Sequence, residues 1–390
     1  MLEARWSRAD TLIAAGTFAA VVGLVGLASH FTATAMNNYV LLADAWLHGH
    51  SWIAYPGAWI DAVPYHGRAY VIEAPFPAVL ALPLVAISGP AANQNLVAAA
   101  LAGLAAAAMY RFARYAGDRR GDALLLTAFM LCGTDALYAA LDGSVWLVAH
   151  LSALTFTLLA LGELAGKRRL WLVTLLGLAA ALSRYPMALA LPVYWWVLRD
   201  QFVRRRPLAA TAGVALPLVA LWCAYNWNRW GTLHDPGFSI WYRVMDADAK
   251  TRPAVFSLAY LPAQIRLFFF TPPKVLASFP WFAPDKFGTA LTYLSTGFAV
   301  AFAVRARDRL VLSLIALAAL TALPALLYYD NGGVQFGVRH ALDFEAFLLC
   351  LIAISLREPP LRWKRVLLGG SAAFALYLLY VWRAVPGAVG

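Results

Sequence analysis

The sequence predicts an all-α polytopic membrane protein: a single membrane domain over residues 1–390 with about eleven transmembrane helices. Three observations carry this reading. Of the 390 residues, 62% are hydrophobic, only 13% are charged, and Arg and Lys gather in clusters separated by apolar stretches. Soluble domains carry a charged share near ~25%. The composition therefore excludes a disordered chain and an ordinary soluble domain. A net charge of +11 marks cytoplasmic loops and an anionic lipid or phosphate partner in this setting, and no nucleic acid is expected. Cys132, Cys223 and Cys350 lie far apart in apolar stretches, so they form neither a disulfide framework nor a metal spacing.

The first element is a transmembrane helix at about 11–29, and Arg5 and Arg8 before it put the N-terminus in the cytoplasm. The clusters Arg111/Arg114/Arg119/Arg120, Lys167/Arg168/Arg169, Arg204/Arg205/Arg206, Arg305/Arg307/Arg309 and Arg357/Arg362/Lys364/Arg365 mark further cytoplasmic turns. Between them, crossings fall at about 93–110, 122–140, 144–164, 170–183, 186–198, 207–224, 288–304, 310–328, 341–356 and 366–382. The first external loop, 30–74, holds an amphipathic helix in which Tyr39, Leu42, Ala43, Trp46 and Leu47 follow helical spacing. Segment 75–88 is too short to span and carries three prolines, so it lies at the interface or dips partly in. Ser183-Arg184-Tyr185-Pro186 splits the next apolar pair, with Arg184 at an outer turn. A second external loop, 225–287, is rich in aromatics.

Polar groups in such surroundings are costly, which makes them candidates for function. Asp44 and His48 share a helix face. That is either a solvated ion pair or a carboxylate over a cavity mouth. Glu73 precedes the apolar PFP segment, with Arg68 and His66 nearby, and reads either as a helix-start carboxylate or as a working one. Asp135 and Asp142 lie seven apart; Asp142-Gly143 is an ordinary turn signal. His150 reads as a core histidine. Gln335, Arg339 and Asp343 fall at i, i+4 and i+8 and line one face if the helix starts early. The plainer account is a structural Arg339–Asp343 pair; the other is a clamp for phosphate or sugar hydroxyls. Asp246-Ala-Asp248 is a weak metal signal on what reads as exposed surface, and no metal site is assigned. Walker, dinucleotide-binding, nucleophile-elbow and HExxH motifs are absent.

The ordered stretches YVLLADAWLHGH, GRAYVIEAPFPAVLALPLVAI, GSVWLVAHLSALTFTLLAL, LGLAAALSRYPMALALP, AYNWNRWGTLHDPG and YYDNGGVQFGVRHALDF resemble the multi-spanning C-type glycosyltransferases (GT-C fold), especially bacterial family 39-like members. The resemblance implies a bacterial plasma-membrane enzyme with outer juxtamembrane helices and an active site facing outward. It implies transfer of a sugar from a polyprenyl-phosphate donor to a glycan, lipid or protein acceptor. A carboxylate of the first external loop then serves as base. The usual acidic pair before the amphipathic helix is Asn37-Asn38 here, and the lysine of the K-P-P-L element is missing. Asp44 and Glu73 are thus the two choices for base. Arg339 and Arg184 are candidates for the phosphate; Gln335, Asp343, His66, Tyr185 and Asp135 are candidates for the sugar and its surroundings. A divalent cation is left open as cofactor, and no nucleotide is expected. The competing classes are a lipid or glycolipid transporter, which also uses broken helices and intramembrane charge, and a non-catalytic lipid-binding membrane protein.

Overall fold

The computed structural model describes residues 6–57, 59–244, 254–387 and 389. Asp246 and Asp248 lie outside the described residues. The chain is mostly helical. Its helices are α1 (Arg8–Ala28), α2 (Asn38–Leu47), α3 (Phe76–Ser88), α4 (Gln94–Ala116), α5 (Arg120–Cys132), α6 (Ala136–Asp142), α7 (Val145–Ala165), α8 (Leu170–Ala181), α9 (Ala190–Val197), α10 (Arg205–Trp230), α11 (Phe238–Val244), α12 (Leu261–Phe270), α13 (Leu291–Leu294), α14 (Arg309–Leu327), α15 (Leu342–Leu356) and α16 (Arg362–Ala384). Among the described residues, three two-stranded pairings join β1 (Ala62–Tyr65) to β2 (Arg68–Val71), β3 (Lys274–Val275) to β4 (Phe282–Ala283), and β5 (Phe287–Thr289) to β6 (Gln335–Gly337).

Among the described residues, six helices are long and apolar enough to cross a membrane: α1, α4, α7, α10, α14 and α16. They become seven if α5 and α6, bent by 53° at the Gly133–Asp135 break, count as one span. The architecture is therefore that of a multi-pass membrane protein. The other expected crossings consist of shorter pieces. Between 170 and 198 the chain forms α8, a 3₁₀ turn over Tyr185–Leu189 and then α9. Pro186 cannot continue the hydrogen-bond ladder of α8. Between 288 and 304 it forms β5, α13 and a 3₁₀ stretch. Fifteen residues make α15 about 22 Å long, short of the ~30 Å hydrocarbon core.

Burial separates the centre of the bundle from its edge. The most apolar windows of α4 and α7 are 72% and 83% buried, whereas those of α1 and α10 are 17% and 6% buried. α4 earns its central place with Ala98, Ala99, Ala102, Ala105, Ala106 and Ala113, all buried small residues that let neighbouring helices approach. α1 is tied to α4 by charge. Its Asp10 closes a capping box with Ser7 and also accepts from Arg114 Nε, Arg120 Nε and Tyr110 Oη, each at 3.0 Å.

The first loop is more ordered than its sequence suggests. α2 forms at the expected place, with Tyr39, Val40, Leu42 and Ala43 buried. β1 and β2 then make a hairpin whose two-residue turn is His66-Gly67, at φ +49° and +73°. Positive φ at both central positions matches the twist of the strands. α3 follows over the proline-rich segment as a thirteen-residue helix with Pro83 inside it.

Candidate active site

Segments distant in sequence enclose a cavity of about 630 Å³. The hairpin brings Asp61 at its start and Glu73 beyond its end. α7 contributes Trp146 and His150 from its first two turns. The break after α8 supplies Arg184 and Tyr185, α11 supplies aromatic rings, and the chain after β6 supplies Arg339, His340 and Asp343. Most of the remaining wall is apolar, including Pro324 and Ala325 of α14.

One wall is an ionic cluster in which each charge is paired, while the Nε2 atoms of His150 and His340 are buried without a partner among the described residues. Arg184 grips Asp343 with Nε on Oδ1 at 3.3 Å and Nη2 on Oδ2 at 3.0 Å. His150 Nδ1 lies 2.8 Å from Asp343 Oδ1 and donates to it when it carries the ring proton. Arg184 Nη2 also donates to His340 Nδ1 at 3.2 Å, so that ring accepts through Nδ1. Asp343, His150 and His340 are buried. Such a desolvated pair holds only because every charge has a partner.

The opposite wall is open to new partners. Both carboxylate oxygens of Glu73 are buried, and no side chain among the described residues bonds them. Burial, and after it the charge of Asp61, pushes the Glu73 carboxyl well above the usual carboxylate range. Asp61 is also raised by burial, with the Trp146 hydrogen bond and the Arg339 charge working against that. Trp146 joins the two signs of charge. Its Nε1 donates to Asp61 Oδ2 at 3.1 Å, and its ring carries the Arg339 guanidinium 5.3 Å from the centroid. Arg339 Nε is buried without a partner.

Of the residues singled out from sequence, Glu73, Arg184, Tyr185, Arg339 and Asp343 come together in this cavity. Tyr185 stands edge-on to Phe238 and Trp222. Asp44 does not line the cavity; it is half-buried on α2, 3.7 Å from the exposed His48. His66 sits exposed at the hairpin tip. Asp135 is buried at the start of α6, and Asp142 accepts from Ser144 N at 3.0 Å, closing the expected turn.

The helical face expected for Gln335, Arg339 and Asp343 is corrected by the structure. Residues 335–337 are β6, paired in parallel with β5, then Arg339–Ala341 form a 3₁₀ turn, and α15 starts only at Leu342. Gln335 does not line the cavity and secures the loop beside it instead. Its Nε2 donates to Phe287 O and Asn331 O, and its Oε1 accepts from Arg339 N at 3.2 Å. Gly337 is the reason this strand lies so close, because a Cβ there would overlap the Asp135 carboxylate. Arg339 and Asp343 do not pair with each other; Asp343 takes Arg184.

Sequence reasoning passed over Asp61, Trp146 and His340. Asp61 carried a usable signal: a single carboxylate inside the apolar run AWIDAV. His150, expected in the core, is buried but also faces the cavity. Among the described residues no group of three His, Cys, Asp or Glu is placed to hold a metal ion. No family model matches the sequence, and no curated protein or solved structure matches it either.

Proposed function

We propose that the protein is a glycosyltransferase that moves a sugar from a polyprenyl-phosphate donor to an acceptor hydroxyl, with Glu73 as the general base. One observation carries the reading: an unpartnered buried carboxylate, Glu73, and an unpartnered guanidinium nitrogen, on Arg339, share one largely apolar cavity. The resemblance of the ordered motifs to the C-type glycosyltransferases supports it independently.

The chemistry follows from those two groups. Glu73 takes the proton of the acceptor hydroxyl as its oxygen bonds to the sugar's anomeric carbon. The bond from that carbon to the phosphate oxygen breaks, and the electron pair leaves with the phosphate. Arg339, whose fork suits phosphate oxygens, holds the negative charge that collects there. Arg184 is already committed to Asp343, so it shapes the pocket and adds long-range positive potential. Asp61 keeps Trp146, and through it Arg339, in place. The apolar wall at Pro324 and Ala325 suits the first isoprene units of the donor. Beyond the cavity α7 and α15 are buried along nearly their whole length, which favours a dead-end pocket over a transport pathway.

The test is to incubate purified protein with a panel of polyprenyl-phosphate sugars and measure released polyprenyl phosphate. Release by the native chain and none by Glu73→Gln is the expected result. Full activity of Glu73→Gln would remove the base assignment, and no release from any donor would remove the enzymatic reading.

A further inference from the structure

A second cavity, of about 640 Å³, lies at the other end of the bundle. Three helices run from one cavity to the other. α7 has Trp146 and His150 at the first and Leu164 and Ala165 at the second; α14 has Pro324 and Ala325 at the first and Arg309 and Leu310 at the second; α15 has Asp343 at the first and Ile354 at the second. At 1.5 Å per residue the two lie roughly 20 Å apart along these axes.

The polar wall of the second cavity holds Arg168, Arg309 and Arg357 with Asp308 and Glu358. The arginines come from three different basic clusters of the sequence. The two carboxylates are engaged with backbone amides. Asp308 Oδ1 accepts from Val311 N at 3.0 Å, and Glu358 accepts from Arg305 N at 2.9 Å and Ala306 N at 3.2 Å. The guanidinium groups are less committed. Arg168 donates through Nη2 to the exposed Asp200 at 3.2 Å and to the Val197 carbonyl at 3.4 Å. Arg309 stacks 4.6 Å from the centroid of Trp196 and donates through Nη2 to the Trp196 carbonyl, while its Nε is buried without a partner. Arg357 makes no ion pair among the described residues, although Asp118 lies near enough to feel its charge.

We propose that this second cavity binds a phosphate group, with Arg309 and Arg357 as its principal contacts and Arg168 at its edge. The argument is the donor set. Planar guanidinium groups present paired N–H donors that match phosphate oxygens, and here the nearby carboxylates already accept main-chain hydrogen bonds instead of pairing with these arginines. The end of the bundle richest in Arg and Lys is also the end that meets anionic headgroups in the cytoplasmic leaflet. The shared chemistry is a phosphate ester, carried either by an anionic phospholipid or by a soluble molecule. This site is separate from the transfer reaction proposed above and does not depend on it.

The experiment uses the full chain in detergent, with phosphatidylglycerol, phosphatidylcholine and inorganic pyrophosphate as probes. Native mass spectrometry reads retained lipid and calorimetry reads pyrophosphate. Arg357→Gln carries the test, since Arg309 also packs on Trp196. Phosphatidylglycerol retained in preference to phosphatidylcholine, and held about tenfold more weakly by Arg357→Gln, identifies a lipid phosphate. Pyrophosphate bound and weakened by the same factor identifies a soluble ester. Arg339→Ala, in the other cavity, is expected to leave either result unchanged. The proposal falls if Arg357→Gln binds both probes as the native chain does, or if Arg339→Ala removes the binding.

Discussion

The two walls of the cavity that holds Glu73 treat charge in opposite ways. On one side Asp343 is held by Arg184 and His150, and Arg184 also reaches His340. On the other, the Glu73 carboxylate and the Nε of Arg339 are buried with no side-chain partner among the described residues. Both arrangements are costly in a desolvated setting; the first leaves only the Nε2 atoms of His150 and His340 without a partner, while the second leaves a carboxylate and a guanidinium nitrogen able to act on an incoming molecule. The contrast teaches that paired charges hold shape, while an unpaired carboxylate and guanidinium across from them are where chemistry is to be sought.

The sharpest way to break this comparison is to neutralise one group on each side. Glu73→Gln is expected to lower the transfer rate by about 10²- to 10⁴-fold, the usual reach of a general base, while the thermal midpoint holds or rises. Initial rates and melting curves on the same preparation decide it; a folded variant with native rate would refute the role. Asp343→Ala should do the reverse. Removing one partner of a buried pair costs about 3–5 kcal/mol, so denaturation in detergent should show a large loss of stability, with activity falling only because less protein is folded.

The pH dependence separates the walls further. Glu73 and Asp61 both hold their protons to higher pH in the folded chain than ordinary carboxyls do. Stability contributed by their neutral forms is fully present below the unfolded pKa near ~4 and is lost as pH rises through the raised values. A base must be ionised, so transfer should climb over that same window. Rates and melting midpoints measured against pH should therefore run in opposite directions, and Glu73→Gln should flatten the rate profile. Parallel curves would contradict the assignment.

Smaller effects follow. Arg339→Ala is expected to weaken donor binding by about 10- to 100-fold, the worth of one or two charge-assisted hydrogen bonds, measured as the change in apparent donor affinity. Asp44→Asn is the smallest. Its partner His48 is 68% exposed at the side chain, and exposed pairs contribute about 1 kcal/mol or less. Native rate and a near-native melting curve are expected; abolished transfer with the fold intact would return the base to Asp44.

Much of the bundle was legible because apolar length and Arg clusters are local signals. α2, the break at Ser183–Pro186 and the long spans α4, α7 and α14 lie close to where the sequence puts them. The prolines of 75–88 also mark a short helix correctly. Partner choice was not legible. Arg184 meets Asp343 across 159 positions, and nothing local prefers it to the nearer Arg339. The 335–343 spacing invited a helix, but three residues of parallel pairing to β5 hold its first part extended. Strands that short leave almost no periodic trace, and the same holds for β1 and β2.

Gly337 shows how much can rest on an atom that is not there. Its bare α-carbon lets the extended stretch settle against Asp135, and two residues on, Arg339 hangs from that contact. A methyl group at 337 would act as a wedge, prising the stretch from the bundle and carrying the guanidinium off the Trp146 face. Damage done at 337 would then read out as poor donor recognition, although that residue does not line the cavity.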